Sequence, residues 1–260
     1  MVKKAIKTLF ILIAVFIAGL VIFQISSNNP KAIVRSLSKI GSLAENKKFV
    51  FSVKLFGVIP AGEAVLLDEG LSKLDNRQVY SISAEAKPAA FITKFYKVKA
   101  NITSFMDKES LLPVLLKQSL EIQNKPSDNK EVYYDQKKHI MTIKGQERAI
   151  MPETYEPLSA MRFLRSQDFN KLKSFDININ TNQKNYGMKG EVLRKEKIIL
   201  GNKEYFVWVL KANIARRDKN NPYHRSQVTF YLLDDAQKTP LLIKVFASGA
   251  YIVATLKRCE

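Results

Sequence analysis

KFVFSVKLFGVIPAG, residues 48–62, opens a long region in which apolar side chains recur at every second position. The positions that set this alternation are Phe49, Phe51, Val53 and Leu55. A period of two is typical of a β-strand with one face on a core and the other in water. The same alternation recurs at residues 96–102 and 175–179. These stretches therefore predict half-buried strands.

Other stretches are apolar on both faces, and turn residues separate the predicted strands. The two-sided stretches are residues 205–214, 228–233 and 241–246. The predicted turns are residues 60–62, 68–70, 135–138, 201–202, 234–237 and 248–249. Short strands without alternating helices favour an antiparallel sheet over βαβ units. We predict one mainly β domain over residues 46–260, with roughly ten or more strands that curl into a partial barrel or a two-layer roll.

One helix interrupts the predicted strands. PLSAMRFLR, residues 157–165, repeats apolar residues at helical spacing after a proline that suits a first helical turn. A second helix is an alternative for residues 111–120, although Pro113 argues against it. Residues 30–45 also show helical spacing, which predicts a short amphipathic helix or stalk before the β domain.

The amino terminus carries an apolar segment that is preceded by lysines. Residues 9–23 contain no polar side chain and follow Lys3, Lys4 and Lys7. As a helix, residues 8–25 would rise roughly 27 Å, close to the thickness of a bilayer core. Residues 1–29 are therefore either an inner-membrane anchor or a cleaved signal peptide, and both place the remaining chain outside the cytoplasm.

The cysteine count limits the chemistry of such an exported chain. Cys259 is the only cysteine, so an internal disulfide and a cysteine zinc site are both excluded. Its thiol either forms an intermolecular disulfide or has no role at the end of the chain.

Several stretches together resemble the domain of unknown function 3108 family of bacterial exported proteins. The stretches are residues 55–64, 95–98, 104–107, 112–113, 133–135, 156–165 and 233–241. The resemblance implies an extracytoplasmic, β-rich domain without an established activity. Two positions depart from the family pattern. Glu156 stands where the family usually has Asp, and residues 230–233 lack the Trp expected before the Asp-Asp turn.

Turn residues in these stretches are expected to serve the backbone rather than chemistry. The residues predicted to have this structural role are Gly57, Pro60, Gly62, Asp234, Asp235 and Pro240. Adjacent carboxylates on a turn point apart, so Asp234 and Asp235 predict a turn rather than a metal site. His139 and His224 lie in predicted polar loops, whereas a catalytic triad needs a buried and oriented histidine. The sequence therefore predicts no catalytic residue, no cofactor and no metal.

Positive charge is the remaining signal for a partner. Lys and Arg number 42 against 24 Asp and Glu, which gives a formal charge of +18. Export removes nucleic acid as a partner, so anionic lipid or polysaccharide is the natural alternative. The candidate contacts for an anionic group are Arg216, Arg217, Lys219 and Arg225. A merely solvated loop is the competing interpretation.

These observations favour a non-enzymatic cell-envelope protein whose curved β domain binds a lipid or another amphiphilic ligand. An anchored structural or assembly partner without a small-molecule ligand is the alternative. An apolar cleft of several hundred Å³ with a basic rim would favour the first, and a packed interior the second. A hydrolase would require polar groups that converge in a pocket.

Overall fold

A computed structural model of the chain describes residues 46–94, 97–123, 125–181, 183–217, 226–247 and 249–260. The predicted anchor or signal peptide (1–29) and stalk (30–45) lie outside these residues, as do Lys219 and Arg225. Among the described residues, the helices are all too short or too polar to cross a bilayer.

The described residues form fifteen strands and two helices. The strands are β1 (Lys47–Leu55), β2 (Ile59–Leu74), β3 (Arg77–Pro88), β4 (Val98–Asp107), β5 (Pro113–Ile122), β6 (Asp128–Asp135), β7 (Ile140–Ile143), β8 (Gln146–Ala149), β9 (Thr154–Tyr155), β10 (Ser174–Thr181), β11 (Lys184–Leu200), β12 (Lys203–Arg216), β13 (Ser226–Leu233), β14 (Pro240–Ala247) and β15 (Ala250–Cys259). The helices are α1 (Ala90–Thr93) and α2 (Pro157–Arg165).

All fifteen described strands join one sheet, in the order β8-β7-β6-β5-β4-β3-β2-β1-β15-β14-β13-β12-β11-β10-β9. Neighbouring strands are antiparallel except β9 and β10, which are parallel, so the sheet is mixed. The first and last strands meet in its middle, where Lys48 and Glu260 exchange two backbone hydrogen bonds of 2.9 Å. Residues 46–260 thus carry the whole described sheet and its own core, as independent folding requires.

The two edges of the sheet approach each other without closing it into a barrel. Strands β8 and β9 form these edges, and only residues 150–153 separate them along the chain. Gln136, which directly follows β6, connects this side of the sheet to β9, since its Nε2 donates to the Thr154 carbonyl at 2.9 Å and its Oε1 accepts from the Thr154 amide at 3.2 Å. The predicted curvature is therefore present as a rolled, open sheet.

The core lies on the concave face of this sheet, and α2 packs within it. Phe49 and Val53 are each 1% exposed, whereas Lys54, which follows Val53 in β1, is exposed. The alternation at residues 48–55 is thus confirmed as a strand whose Phe49 face is buried throughout, while Val50 is buried on the other face. Leu158 and Phe163 of α2 belong to the same apolar cluster as the strands. A second, smaller cluster of Val207, Val209 and Leu241 covers the opposite face, which explains why residues 205–214 are apolar on both sides.

Several local predictions are confirmed and three are wrong, one of them the turn at residues 60–62, since β2 already begins at Ile59. The helix at residues 157–165 and the hairpin at Gly201-Asn202 are present as predicted. Residues 68–70, however, lie within β2, where the pairing with β3 shifts by one residue between Asp68 and Gly70. The bulge accommodates a turn-like sequence because the Glu69 carboxylate accepts hydrogen bonds from two serine hydroxyls of β3. The alternative helix at residues 111–120 is also wrong, since Pro113 begins strand β5 instead.

Candidate functional site

The amino-terminal end of α2 is fixed by a buried capping box. The Glu156 carboxylate accepts from the amides of Leu158 at 2.9 Å and Ser159 at 2.5 Å, and the Ser159 hydroxyl accepts from the Glu156 amide at 2.9 Å. Pro157 fills the first helical position, where no amide donor is needed. Ser104 of β4 also donates to Glu156 at 2.7 Å, which ties the helix to the sheet. Burial raises the pKa of the Glu156 carboxyl, while these donors oppose the shift.

Two arginines of α2 enter the core and share one carboxylate. Arg162 and Arg165 are each 1% exposed, and both form ion pairs with the fully buried Asp68 of β2. The Arg162 guanidinium also lies over the Tyr80 ring, 3.9 Å from its centroid. Arg165 lies 5.1 Å from the centre of the Phe49 ring. We call Asp68, Arg162 and Arg165 the buried ion cluster.

The buried ion cluster holds more positive than negative charge. Arg165 Nη1 donates to Asp68 at 3.2 Å and its Nε donates to the Gln237 carbonyl at 3.2 Å. Its Nη2 is buried without a hydrogen-bond partner among the described residues. Burial lowers the pKa of Arg165, with Arg162 adding to the shift and Asp68 opposing it. Such a cluster fixes a helix in one position, because moving either partner leaves a buried charge unpaired.

Beside this cluster, α2 and the sheet enclose an apolar cavity of about 120 Å³. All fifteen of its lining residues are apolar: Ala64, Val65, Leu66, Ala84, Pro157, Leu158, Ala160, Met161, Leu164, Ile179, Met188, Val228, Phe230, Ile243 and Val245. We call this space the α2 cavity. Most of its walls are buried, but Val65, Leu66, Pro157, Met161 and Ile243 are half-buried and mark its mouth. No basic residue lines it, so the expected rim of lysine or arginine is not part of this wall.

The chemistry available at this site is that of apolar binding. A cavity lined only by apolar side chains offers no polar partners to hold water, and similar engineered cavities stay dry and bind apolar molecules. Among the described residues, no three His, Cys, Asp or Glu side chains converge as metal ligands. His139 lies exposed in the turn between β6 and β7.

The arginines predicted from the sequence lie at the end of β12. Arg217 Nη2 donates to Asp176 of β10 at 2.8 Å, and its side chain is only 13% exposed. A Cβ built on Gly187 would lie 2.6 Å from the Arg217 guanidinium carbon, so the glycine makes room for this arginine. Arg216 precedes it and is half-buried. Lys219 and Arg225 lie outside the described residues, so only two of the four are placed together.

Three of the predicted turn residues, Gly57, Pro60 and Gly62, lie in or next to the hairpin between β1 and β2. Gly57 lies in its turn with a φ of 75°. Pro60 is the second residue of β2, on the exposed side. Gly62 has a φ of 147°, and a Cβ there would collide with the Lys87 carbonyl of β3. A side chain at this position is therefore excluded both by the backbone and by the neighbouring strand.

The second set of predicted turn residues joins β13 to β14. The Asp234 carboxylate accepts from the Trp208 indole at 2.7 Å and pairs with Lys195. The Asp235 carboxylate accepts from the Thr239 amide at 3.0 Å, which closes the turn, and Pro240 begins β14. The two carboxylates therefore serve separate partners.

The sequence interpretation missed the buried ion cluster. The neighbours Glu69 and Gly70 predict a turn at Asp68, although this residue lies inside a strand. Arg162 and Arg165 have a detectable signal, because they follow the apolar Leu158 at spacings of four and seven residues and so share its helical face. Charged residues on an apolar helical face indicate buried ion pairs.

Comparison with known proteins adds a family and a fold. The family described as "Protein of unknown function (DUF3108)" matches residues 50–257. No curated protein matches the chain. The crystal structure of a β-barrel-like protein of domain of unknown function DUF1849 from Brucella abortus has a TM-score of 0.56 at 9% identity. The alignment covers 84% of this chain and 98% of that one, which shows a shared fold.

Two further structures are less similar. A "putative lipoprotein" from Parabacteroides distasonis has a TM-score of 0.41 at 10% identity, with 87% of this chain and 100% of that chain covered. A "putative exported protein with YmcC-like fold" from Bacteroides fragilis has a TM-score of 0.38 at 8% identity, with 85% and 99% covered.

Proposed function

This chain belongs to the family described as "Protein of unknown function (DUF3108)", and we propose that it is a non-enzymatic cell-envelope protein that binds an amphiphilic ligand. The ligand places an apolar segment, such as the end of an acyl chain, in the α2 cavity. The observation that carries this proposal is the wall of the cavity, which consists of apolar side chains alone.

The volume of the cavity sets the size of the bound segment. About 120 Å³ is close to the 150 Å³ of an engineered cavity that accepts benzene. The α2 cavity thus takes roughly four carbon atoms, fewer than the six of benzene, while the rest of the ligand crosses the mouth. Burial of about four methylene groups at ~0.8 kcal/mol each contributes about 3 kcal/mol, or roughly a 200-fold gain in affinity.

The buried ion cluster and the capping box support this binding by holding α2 in place. Asp68 fixes the carboxyl half of the helix, and Ser104 together with Glu156 fixes its start. A site whose walls are already ordered loses less conformational entropy when a ligand binds. The helix therefore acts as a fixed inner wall for the ligand.

The proposed location is extracytoplasmic. It rests on the apolar residues 9–23 behind three lysines and on the family resemblance to bacterial exported proteins. The protein is tethered to the inner membrane through residues 8–25 or released after signal cleavage. Arg216, Arg217, Lys219 and Arg225 are proposed contacts for an anionic group of lipid or polysaccharide.

The proposal is tested by titrating residues 46–260 with dansyl-undecanoic acid, followed by competition with decanoate. Ala160→Leu fills the cavity and is expected to weaken binding at least tenfold, since it occupies the space of the bound segment. Ala149→Leu is the matched control on the exposed strand β8, and its affinity should equal that of the wild type. Equal affinities for all three proteins would contradict the proposal.

The alternative function, an assembly partner without a small ligand, is favoured by the small size of the cavity. It predicts no saturable dansyl signal for the wild type. It also predicts that crosslinking of the tagged full chain in membranes recovers the same proteins from the wild type and from Ala160→Leu.

A further inference from the structure

One end of the sheet carries exposed apolar side chains at the β1–β2 hairpin. Phe56 is 52% exposed, Val58 72% and Ile59 47%. Phe91 of α1 and Phe246 of β14 are each 49% exposed and lie at the same end of the sheet. Strand pairing places them there, because β1 and β14 both end at this side and β15 begins there. We call Phe56, Val58, Ile59, Phe91 and Phe246 the apolar tip.

The backbone holds the hairpin part of the apolar tip in a defined position. Phe56 has a φ of 51°, a left-handed conformation that is rare and unfavourable for a bulky residue. Its amide donates to the Tyr251 carbonyl of β15 at 2.6 Å, and the Val58 amide donates to the Leu55 carbonyl at 3.1 Å. Next to it, the Ala89 amide donates to the Ala61 carbonyl at 3.0 Å, which docks the start of α1 beside β2. The exposed side chains thus stand on an ordered scaffold.

The charge around the apolar tip is positive. Lys54, Lys94 and Lys97 are exposed at this end, and within the described ranges none of them lies in an ion pair with a carboxylate. The nearby carboxylates of Glu63 and Glu85 are each paired with a lysine. Exposed aromatic and aliphatic side chains flanked by unpaired lysines match the interface of an anionic bilayer, where the rings enter the headgroup region and the ammonium groups meet lipid phosphates.

The orientation of the sheet also leaves the apolar tip accessible. Residue 46, where the described chain starts, lies at the opposite end of β1, nine residues or about 30 Å from the hairpin. The α2 cavity is nearer to the tip, since Val228 and Val245 each lie two residues from the strand end at this side. Contact between the apolar tip and a bilayer therefore does not involve residue 46, to which residues 1–45 are attached.

We infer that the apolar tip is a membrane-contact surface that inserts Phe56, Val58 and Ile59 into the interface of an anionic lipid bilayer. The proposed partner is the surface of the bilayer rather than a single lipid molecule. This inference does not depend on occupation of the α2 cavity, so the two proposals can fail separately.

The test uses residues 46–260 with Cys259→Ser, so that a single introduced cysteine carries an NBD fluorophore. Val58→Cys places the label on the apolar tip, and Ile199→Cys is the matched control on an equally exposed apolar side chain, 65% exposed, at the β11–β12 hairpin on the opposite end. Vesicles contain phosphatidylglycerol and phosphatidylcholine in equal proportion, or phosphatidylcholine alone. We expect a blue shift and a several-fold rise in emission for the label at 58 with the anionic vesicles only.

Two sets of substitutions measure separately how much the apolar side chains and the lysines contribute to vesicle binding. The triple change Phe56→Ser, Val58→Ser and Ile59→Ser should weaken vesicle binding about 100-fold, because three apolar side chains leave the interface. Lys54→Gln with Lys94→Gln should weaken it roughly 25-fold. Ala160→Leu should leave it unchanged. Circular dichroism and the urea midpoint confirm that each variant is folded.

Three results would overturn the inference. The first is an emission change at 199 as large as that at 58, which indicates unspecific adsorption. The second is no change at 58 with either vesicle. The third is a change at 58 only when the vesicles contain envelope proteins, which identifies a protein as the partner.

Discussion

Replacing Asp68 with asparagine tests the buried ion cluster, because it removes the one carboxylate that faces Arg162 and Arg165. The side chains of all three residues are at most 2% exposed, so neither guanidinium reaches solvent after the change. Breaking a buried ion pair by removing one partner costs about 3–5 kcal/mol. A domain of ordinary stability has about 5–15 kcal/mol in total, so this single change removes a large part of it.

The assay is urea unfolding of residues 46–260 at pH 7, followed by tryptophan fluorescence from Trp208. With a slope of about 3 kcal/mol per molar urea, the midpoint should fall by roughly 1–1.7 M in Asp68→Asn. Asp176→Asn is the control, since its carboxylate pairs with Arg217 and with the half-exposed Lys189, and its loss should cost less than that of the fully buried Asp68.

A compensating variant separates charge from volume. Asp68→Leu combined with Arg162→Met and Arg165→Leu replaces the cluster with apolar side chains, which is often neutral in other proteins. Its midpoint should return most of the way to the wild type. A midpoint for Asp68→Asn no lower than for Asp176→Asn, or a triple variant no more stable than Asp68→Asn, would refute the reasoning.

Three further predictions concern the helix, the cavity and the turns. Burial raises the pKa of Glu156 in the folded state. The contribution of Glu156 to the free energy of unfolding therefore decreases as the pH rises from its unfolded pKa through its raised folded pKa. Urea midpoints measured over a pH series should show this decrease in the wild type relative to Glu156→Gln, and parallel curves for the two proteins would contradict it. Leu164→Ala enlarges the α2 cavity and should cost about 2–5 kcal/mol in urea unfolding, whereas a loss below 1 kcal/mol would mean that the helix relaxes into the space. Gly62→Ala should lower the melting temperature more than Gly201→Ala, because both have positive φ but only the Cβ at 62 meets backbone, and equal losses in a thermal scan would contradict this.

Local patterns in the sequence predicted individual strands and the helix α2. The buried ion cluster depends on contacts between distant segments, which the sequence does not indicate. The alternation at Phe49–Leu55 and the spacing in PLSAMRFLR depend only on neighbouring residues, so both are readable from the chain. Asp68 meets Arg162 across 94 positions of sequence, and a bulge places it in a strand despite its turn-like neighbours. No local pattern indicates such a pairing.

The α2 cavity is smaller than the predicted ligand site and lacks its basic rim, because its shape also depends on contacts between distant segments. The α2 cavity is bounded by six strands and one helix, so its volume follows from packing between distant segments rather than from any one stretch. The α2 cavity has the apolar character expected of a ligand site, but neither the several hundred Å³ nor the basic rim. The β1–β15 pairing, which fixes the middle of the sheet, likewise joins residues about 200 positions apart and had no signal in the sequence.

Native mass spectrometry tests the ligand-binding claim most directly. Residues 46–260, secreted with a cleavable leader and purified without detergent, should carry one acyl-bearing molecule per chain. The same adduct should persist in Ala149→Leu and disappear in Ala160→Leu. The bare polypeptide mass in all three proteins, or an adduct retained by Ala160→Leu, would contradict binding in the α2 cavity.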